Sequence, residues 1–387
     1  MTAIRKRSWV APDGEARTAW LVDYRDSTGK RRAKQFARKR DAEAWLVGAA
    51  WQVSQGIHTP DSQSVTVAQA ATLWIDRAES EGRERSTVKQ YGELARLHIN
   101  PLLGVKKLSQ LTRPMVEAYR DDLVATRSKA MAGKAVRALS SILSEAQRRG
   151  LVAQNVAQGV KVVRKGRERA RVVIPTRAEL KALLASCGDD LRPLMMVAVL
   201  TGLRSSELRG LRWDDVDLKA GTISVGQRAD AWGVIGPPKS SAGYRTIPIA
   251  PALIAELKRW KLRARPSELV FPNAKGGPYL HNNLVRRHVA PAMVAAGLSE
   301  PILENGKPKV TGEGEPVLQT RYGLHSLRHA AASGWIAQRI DLKRLQTWMG
   351  HSSVQITLDT YGHLIADDEG DAALIAAAGA DLTGTVA

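Results

Sequence analysis

Between Val65 and Val160, apolar residues recur at helical spacing through successive segments, and this run constrains the fold more than any other. "TVAQAATLWIDRA" sets Val67, Ala71, Trp74 and Ile75 on one face, and "STVKQYGELARLHI" does the same with Val88, Tyr91, Leu94 and Leu97. Ser86 or Thr87 can cap the second segment, because a short hydroxyl satisfies an unpaired amide of the first turn. "NPLLG" breaks the chain. "TRPMVEAYRDDLVA" then opens on Thr112 as a cap with Pro114 in its first turn, and "KAMAGKAVRALSSILSEAQRRG" closes the set at Gly150. Such faces must bury against one another, so residues 65–160 read as a small all-α domain.

Polar stretches set this bundle apart. "IHTPDSQSV" precedes it as a linker. Ahead of that, residues 1–60 read as a small β-sheet plus a helix. "TAWLVDYRD" and "RRAKQFARK" are two strands about the turn "DSTGK", and "KRDAEAWLVGAAWQVSQG" is a helix ending near Gly56. Lys30, Arg31, Arg32, Lys34, Arg38, Lys39 and Arg40 crowd the second strand and the helix start. They are either a basic face for a DNA groove or a solvated charge run. After the bundle, "KVVRKGRERARVVIP" is a second, basic linker whose Arg164 and Lys165 suit DNA phosphates.

The pattern becomes mixed from residue 171 to the end, and reads as a mainly-α domain with a small antiparallel sheet. "TRAELKALLASC" and the buried "LRPLMMVAVLTGL" are helices, leading into "RSSELRGLRWDDVDL". "TISVGQR", "WGVIGPPK" and "YRTIPI" are three short strands, and helices follow, interrupted by the irregular "EPILENGKPKVTGEGEPVLQT", a surface hairpin. With 387 residues, the chain is therefore multidomain: 1–60, 65–160 and 171–387.

Charge identifies the class of partner. Lys and Arg total 58 against 38 Asp and Glu, a formal net charge of +20, which recruits polyanions by counterion release. The single cysteine, Cys187, excludes an internal disulfide framework and a Cys-rich zinc site. No run of about 18 apolar residues is present, which argues against a membrane span. The basic start "MTAIRKRSWVAPDGE" has no apolar segment, so no secretory signal and a reducing cytoplasm are expected.

Three stretches of the last domain hold groups able to do chemistry. In "TGLRSSELRGL", Arg204 follows a buried helix and Glu207 lies three residues on; taken alone, a helix-end ion pair explains both better than a site does. In "PPKSSAGYRTIPI", Lys239 sits at a turn, where a lysine is often only a solubilising charge. "HSLRHAAASGW" supplies His325, Arg328 and His329. The two histidines share a helix face, yet no glutamate stands in the metalloprotease position and Arg328 repels a cation, so no metal is assigned. Arginine beside histidine suits a phosphate instead. Finally "WMGHSSVQITLDTYGHL" places His351 ten positions before Tyr361, which is a packed aromatic or a nucleophile.

"TGLRSSEL", "PPKSSAGYRTIPI", "HSLRH", "MGHSS" and "TYGHL", in that order, resemble the signature set of the tyrosine recombinase family, and within it the phage-type site-specific integrases. The resemblance extends over essentially the whole chain: residues 65–160 look like a core-binding domain and residues 1–60 like an arm-binding domain. It implies that DNA is cut and rejoined through a 3′-phosphotyrosyl intermediate, integrating or excising a mobile element such as a phage genome. Arg204 and Arg328 would grip the non-bridging oxygens, and Tyr361 would attack. A phenol near pKa 10 is about 0.1% ionised at pH 7, a cost of roughly 4 kcal/mol that neighbouring cations and a proton acceptor reduce. Lys239 would protonate the leaving 5′-oxygen, Glu207 would orient Arg204 or a histidine, and His325 and His351 would divide proton transfer and phosphate binding. His329 would support the fold beside Arg328.

No cofactor, metal or ATP is implied. The implied partners are double-stranded DNA at core and arm sites and a homo-tetramer on that DNA in the bacterial host cytoplasm. A DNA-bending host factor and an excision factor are further implied partners. The tail "DDEGDAALIAAAGADLTG", with Leu374, Ile375 and Leu382, would form a helix docking on a neighbouring protomer, unless it is a frayed end. A type IB topoisomerase, a non-catalytic DNA-binding regulator and a metal nuclease are the alternatives.

Overall fold

In a computed structural model the chain divides into two units, Met1–Arg167 and Glu168–Ala387. The structure describes residues 3–25, 29–54, 64–163, 173–304 and 306–365, with the pairs 375–376 and 379–380.

In the first unit the sheet has three strands rather than two. β1 (Ala3–Val10) pairs antiparallel with β2 (Ala16–Arg25), and β2 with β3 (Arg31–Phe36). β1 escapes pattern recognition because "AIRKRSWV" is mostly exposed and carries almost no apolar alternation. α1 (Lys39–Ser54) packs on β2 and β3. Strand alternation divides the basic cluster: Lys34 Nζ lies 4.9 Å from the centre of the Trp45 ring on α1, and Arg32 and Lys34 are half-buried. Lys30, Arg31, Arg38, Lys39 and Arg40 are exposed.

The bundle comprises α2 (Val67–Ser80), α3 (Arg85–Leu94), α4 (Asn100–Leu103), α5 (Arg113–Thr126) and α6 (Lys129–Arg148), with α6 against α2, α3 and α5. Thr66 and Gln69 form a reciprocal capping box on α2, and Ser128 caps α6. Glu84, and neither Ser86 nor Thr87, occupies the N-cap of α3; Thr112 is the N-cap of α5, but its side chain makes no capping bond. A π turn at Ala95–Ile99 separates α3 from α4, and its wider winding shifts the apolar face. Leu97, predicted to face the core, is exposed, whereas Ile99 is fully buried. Trp74 and Tyr91 stack with ring centres 4.0 Å apart.

In the second unit, α7 (Arg177–Ser186) begins with a Thr176–Glu179 capping box, and α8 (Arg192–Thr201) is buried along nearly its whole length. α9 (Ser205–Gly210) follows. β4 (Val216–Asp217), β5 (Thr222–Val225) and β8 (Arg245–Pro248) form one antiparallel sheet, with Ile223 opposite Ile247 and both fully buried. β6 (Arg228–Ala229) and β7 (Ile235–Gly236) make a separate hairpin, so the strand predicted at "WGVIGPPK" shrinks to two residues and does not join the sheet. Then come α10 (Pro251–Arg263), α11 (His281–Leu284) and, after a π turn, α12 (Ala290–Ala295).

The irregular segment is an exposed nested pair of ladders: β9 (Ser299–Pro301) pairs with β12 (Leu318–Thr320), and β10 (Leu303–Glu304) with β11 (Lys307–Pro308). α13 (Leu324–Ala337) packs on α8, and α14 (Leu342–Met349) and α15 (Val354–Ile365) pack on α13 and on each other. Among the described residues no helix is long and apolar enough to cross a membrane. The predicted tail helix, including Leu374 and Leu382, lies outside the described residues except for isolated positions; of these Ile375 is exposed.

Candidate active site

Two helix ends meet at the site, and each ends in a left-handed glycine. Gly202 (φ 60°) stops α8, and its carbonyl accepts a hydrogen bond from Arg328 Nη1. Gly350 (φ 61°) stops α14, and its carbonyl accepts from Arg204 Nη2 at 2.6 Å, while the Met349 carbonyl accepts from Arg328 Nη2. Glycine takes this backbone conformation without the penalty a Cβ imposes. Space demands it as well: a Cβ on Gly350 would stand 2.9 Å from the Ala242 carbonyl oxygen and 3.0 Å from Arg245 Nη1. The glycines of "TGL" and "MGH" therefore turn carbonyls onto the two arginines.

Beneath them lies a buried ion cluster. Glu207, 3% exposed, accepts from Arg204 Nη1 and from the Arg204 backbone amide, each at 2.8 Å. Its carboxylate also takes Arg245 in a fork, Nη2 to Oε2 at 2.7 Å and Nη1 to Oε1 at 3.1 Å. Burial pushes the Glu207 carboxyl up, but the hydrogen bonds and charge of Arg245, with Arg204, hold it below the usual carboxylate value. Arg245 also donates to the carbonyls of Trp348 (2.6 Å) and Gly243 (2.9 Å), linking β8 to the α14 end. Sequence reasoning missed Arg245. Its one signal was a charged residue inside the apolar strand "YRTIPI", where an unpaired cation would be costly.

Arg328 is 2% exposed; burial, then the neighbouring Arg204 cation, pull it down to about 9, leaving it charged at neutral pH. Three arginines against one carboxylate give the pocket a positive field suited to an anion.

His351 follows Gly350. Its Nδ1 shares a hydrogen bond of 2.9 Å with Thr357 Oγ1, and Gln346 holds the backbone on both sides. Thr357 is fully buried on α15, one turn before Tyr361, so the helix that carries the tyrosine also orients the histidine. Burial, then Arg328 and Arg204, push His351 down to about 4, leaving it neutral at pH 7. Replacing Thr357 with valine is expected to keep the fold within about 1–3 kcal/mol, the cost of one unpaired buried polar partner. In the reaction that the resemblance implies, the same change should slow DNA cleavage about tenfold through loss of ring orientation. Melting curves and single-turnover cleavage rates measure the two effects.

Tyr361 is 1% exposed and packs against Ala332, Leu345 and Met349. Its hydroxyl lies 2.7 Å from Nδ1 of His329, and its ring is nearly parallel to that of His351, centres 6.3 Å apart. Burial pushes the phenol up to about 12, against the opposing pull of Arg328. His329, expected to serve only the fold, is thus the side chain that meets the tyrosine oxygen. His325 is exposed and packs edge-to-face on His329, with ring centres 4.6 Å apart.

Lys239 is exposed on the bend between β7 and β8. The bend is tightly folded, since a Cβ on Gly243 would come within 2.4 Å of the Pro238 side chain. The structure thus gathers Arg204, Glu207, Arg328, His351 and Tyr361, with His325 at the rim. Arg164 and Lys165 fall outside the described residues.

Residues 175–367 match the phage integrase family. Along most of its length the chain is similar to a XerC-like tyrosine recombinase of Caldanaerobacter subterraneus subsp. tengcongensis, 26% identical over 93% of this chain and 95% of the relative. It is 29% identical to the prophage integrase IntR of Escherichia coli K12 over 59% of this chain and 56% of that protein. Among solved structures, the Tn1549 transposon integrase in complex with transposon right-end DNA superposes with a TM-score of 0.63 at 19% identity, covering 81% of this chain and all of that one. A lambda integrase tetramer bound to a Holliday junction superposes at 0.57 and 20% identity, covering 89% and 95%.

Proposed function

The chain belongs to the phage integrase family of tyrosine recombinases and is a site-specific DNA recombinase of mobile elements, and we propose that the gathered residues carry its chemistry. The observation that carries this reading is the convergence of Arg204, Arg328 and His351 with Tyr361 around the carbonyls of Met349 and Gly350. Residues from both ends of a 220-residue unit are spent on one small positive pocket.

A phosphodiester repels nucleophiles through its own charge, and the arginines offset that charge as the pentacoordinate transition state forms. The Tyr361 oxygen attacks phosphorus, the bond to the 5′-oxygen breaks, and Lys239 supplies the proton the 5′-oxygen needs. His351, held neutral with Nδ1 on Thr357, presents its other nitrogen to the phosphate. The phosphotyrosyl link conserves the energy of the broken bond, so a 5′-hydroxyl from a second DNA reseals the strand without ATP. Tyr361 is covered as it stands, so the side chains over it must shift before the phosphate arrives. In this reading the exposed bases of the N-terminal sheet contact arm DNA, residues 65–160 grip the core site, and four protomers assemble on two sites. Host bending and excision factors would act with that assembly.

The test is a nicked duplex carrying the attachment site read from the joined ends of the excised element. A chain–DNA adduct stable to denaturation, mapping to Tyr361 and formed in chelator, is expected. An adduct on another residue sinks the mechanism.

A further inference from the structure

We infer that His329 is a further catalytic residue, the proton acceptor that Tyr361 uses in attack and the donor that returns the proton on religation. This rests on the recombinase reading above and deepens it. Among the described residues the hydrogen-bond contact recorded for the Tyr361 oxygen is His329 Nδ1, at 2.7 Å, within the range for direct proton transfer. Both groups are buried, the histidine 9% and the tyrosine 1% exposed, so bulk water does not compete for the proton. Helix geometry explains the placement. His329 directly follows Arg328 on α13, so one turn of helix presents a phosphate-binding cation and, beside it, an acceptor for the nucleophile.

The hydrogen bond also sets the tautomer. At neutral pH burial, with His325 and Arg328 nearby, keeps His329 neutral, and a tyrosine hydroxyl donating to Nδ1 leaves the imidazole proton on Nε2. That is the form able to accept. In the resting pocket a full transfer is uphill, because unneutralised arginines oppose an imidazolium. A bound phosphodiester monoanion offsets those cations, so transfer accompanies attack. The step balances: the Tyr361 O–H bond breaks, its proton goes to Nδ1, the phenolate oxygen bonds to phosphorus, and the P–O5′ bond breaks with Lys239 protonating the leaving oxygen. Resealing runs the same transfers backwards. His325, exposed and packed edge-to-face on His329, is the outer of the two rings.

The charged and titratable groups around His329 are His325 and Arg328 on its own helix, Tyr361 on α15, His351 beyond α14, and the Arg204–Glu207–Arg245 cluster. The experiment compares the full chain with its His329→Gln variant on the nicked attachment-site duplex, following adduct formation in single turnovers from pH 6.5 to 9. A gel-shift assay measures binding in parallel. Loss of a general base is expected to slow the variant about 100-fold at pH 7 with DNA binding within twofold. That deficit should narrow about tenfold per pH unit as hydroxide takes over the proton, a slope that a merely packed histidine would not produce.

As a second measure, 3-fluorotyrosine at position 361, whose phenol ionises more readily, should accelerate the variant much more than the parent chain. A variant within threefold of the parent, faster than it, or slower by the same factor at every pH overturns the inference. So does a variant too unstable to assay combined with a parent chain that fluorination accelerates strongly, since the parent would then have no base of its own. Failure of the parent chain to form an adduct at Tyr361 overturns the recombinase chemistry itself, and this inference with it.

Discussion

Replacing Tyr361 with phenylalanine is expected to abolish the covalent adduct and strand exchange while DNA binding survives. The ring stays, so the packing against Ala332, Leu345 and Met349 stays. What is lost is one buried hydrogen bond to His329, about 1 kcal/mol. Chemistry loses its only bond-forming atom, and removal of a nucleophile elsewhere lowers turnover by about 10⁶-fold. No other hydroxyl in the cluster can substitute without rebuilding it: Thr357 Oγ1 is engaged with His351. Adduct yield on the nicked duplex and a binding isotherm on the intact one separate the outcomes. Retained recombination in the variant would remove Tyr361 as the nucleophile, and lost binding would mean that the hydroxyl is structural.

The second large effect belongs to a buried carboxylate, 3% exposed. Glu207→Ala is expected to destabilise the second unit by about 3–5 kcal/mol, because it strands the Arg245 guanidinium, 1% exposed, inside the protein. Carbonyls of Trp348 and Gly243 would remain its partners, and they carry no charge to balance it. For a unit of this size that corresponds to a fall in Tm of roughly 10 °C. Arg204 also loses its side-chain and backbone anchor, so cleavage should drop even at temperatures where the variant is folded.

The pH dependence has a definite sign. The folded state holds Glu207 below its ordinary 4.5, so its contribution is complete above that pH and is lost only as the pH falls through the lower folded value. Acid melting curves for the parent and the variant should therefore converge at low pH. Curves whose separation does not narrow as the pH falls would show that the cluster is not the cause.

The local chemistry of the site was legible because its parts are written as short contiguous strings. A glycine before Arg204, a glycine before His351 and the Arg328–His329 doublet each encode a helix end or a helix face that sequence spacing reveals. The helix caps were read less well: Thr66, Ser128, Thr176 and Asp341 cap helix starts that the sequence reading did not name, while Glu84 takes the place expected for Ser86 or Thr87. The misses share a different cause. Leu97 proved exposed and Ile99 buried because a π turn adds a residue to the winding, and no local pattern marks where a turn widens. β1 was missed because its exposed face leaves no apolar rhythm. Arg245 was missed, since its carboxylate partner stands 38 positions earlier in the chain.

By itself the sequence determined the order of the segments, the excess of positive charge, and the residue types gathered around Arg204, Arg328 and Tyr361. Only the tertiary structure decided which histidine meets Tyr361. His325 and His329 lie one helical turn apart, and the resemblance gave the chemistry to His325 and only the fold to His329; the packing of α15 on α13 instead turns the hydroxyl toward the deeper ring. A hydrogen bond is satisfied within about 3 Å, and placement that fine comes from side chains filling a core, not from spacing along a chain.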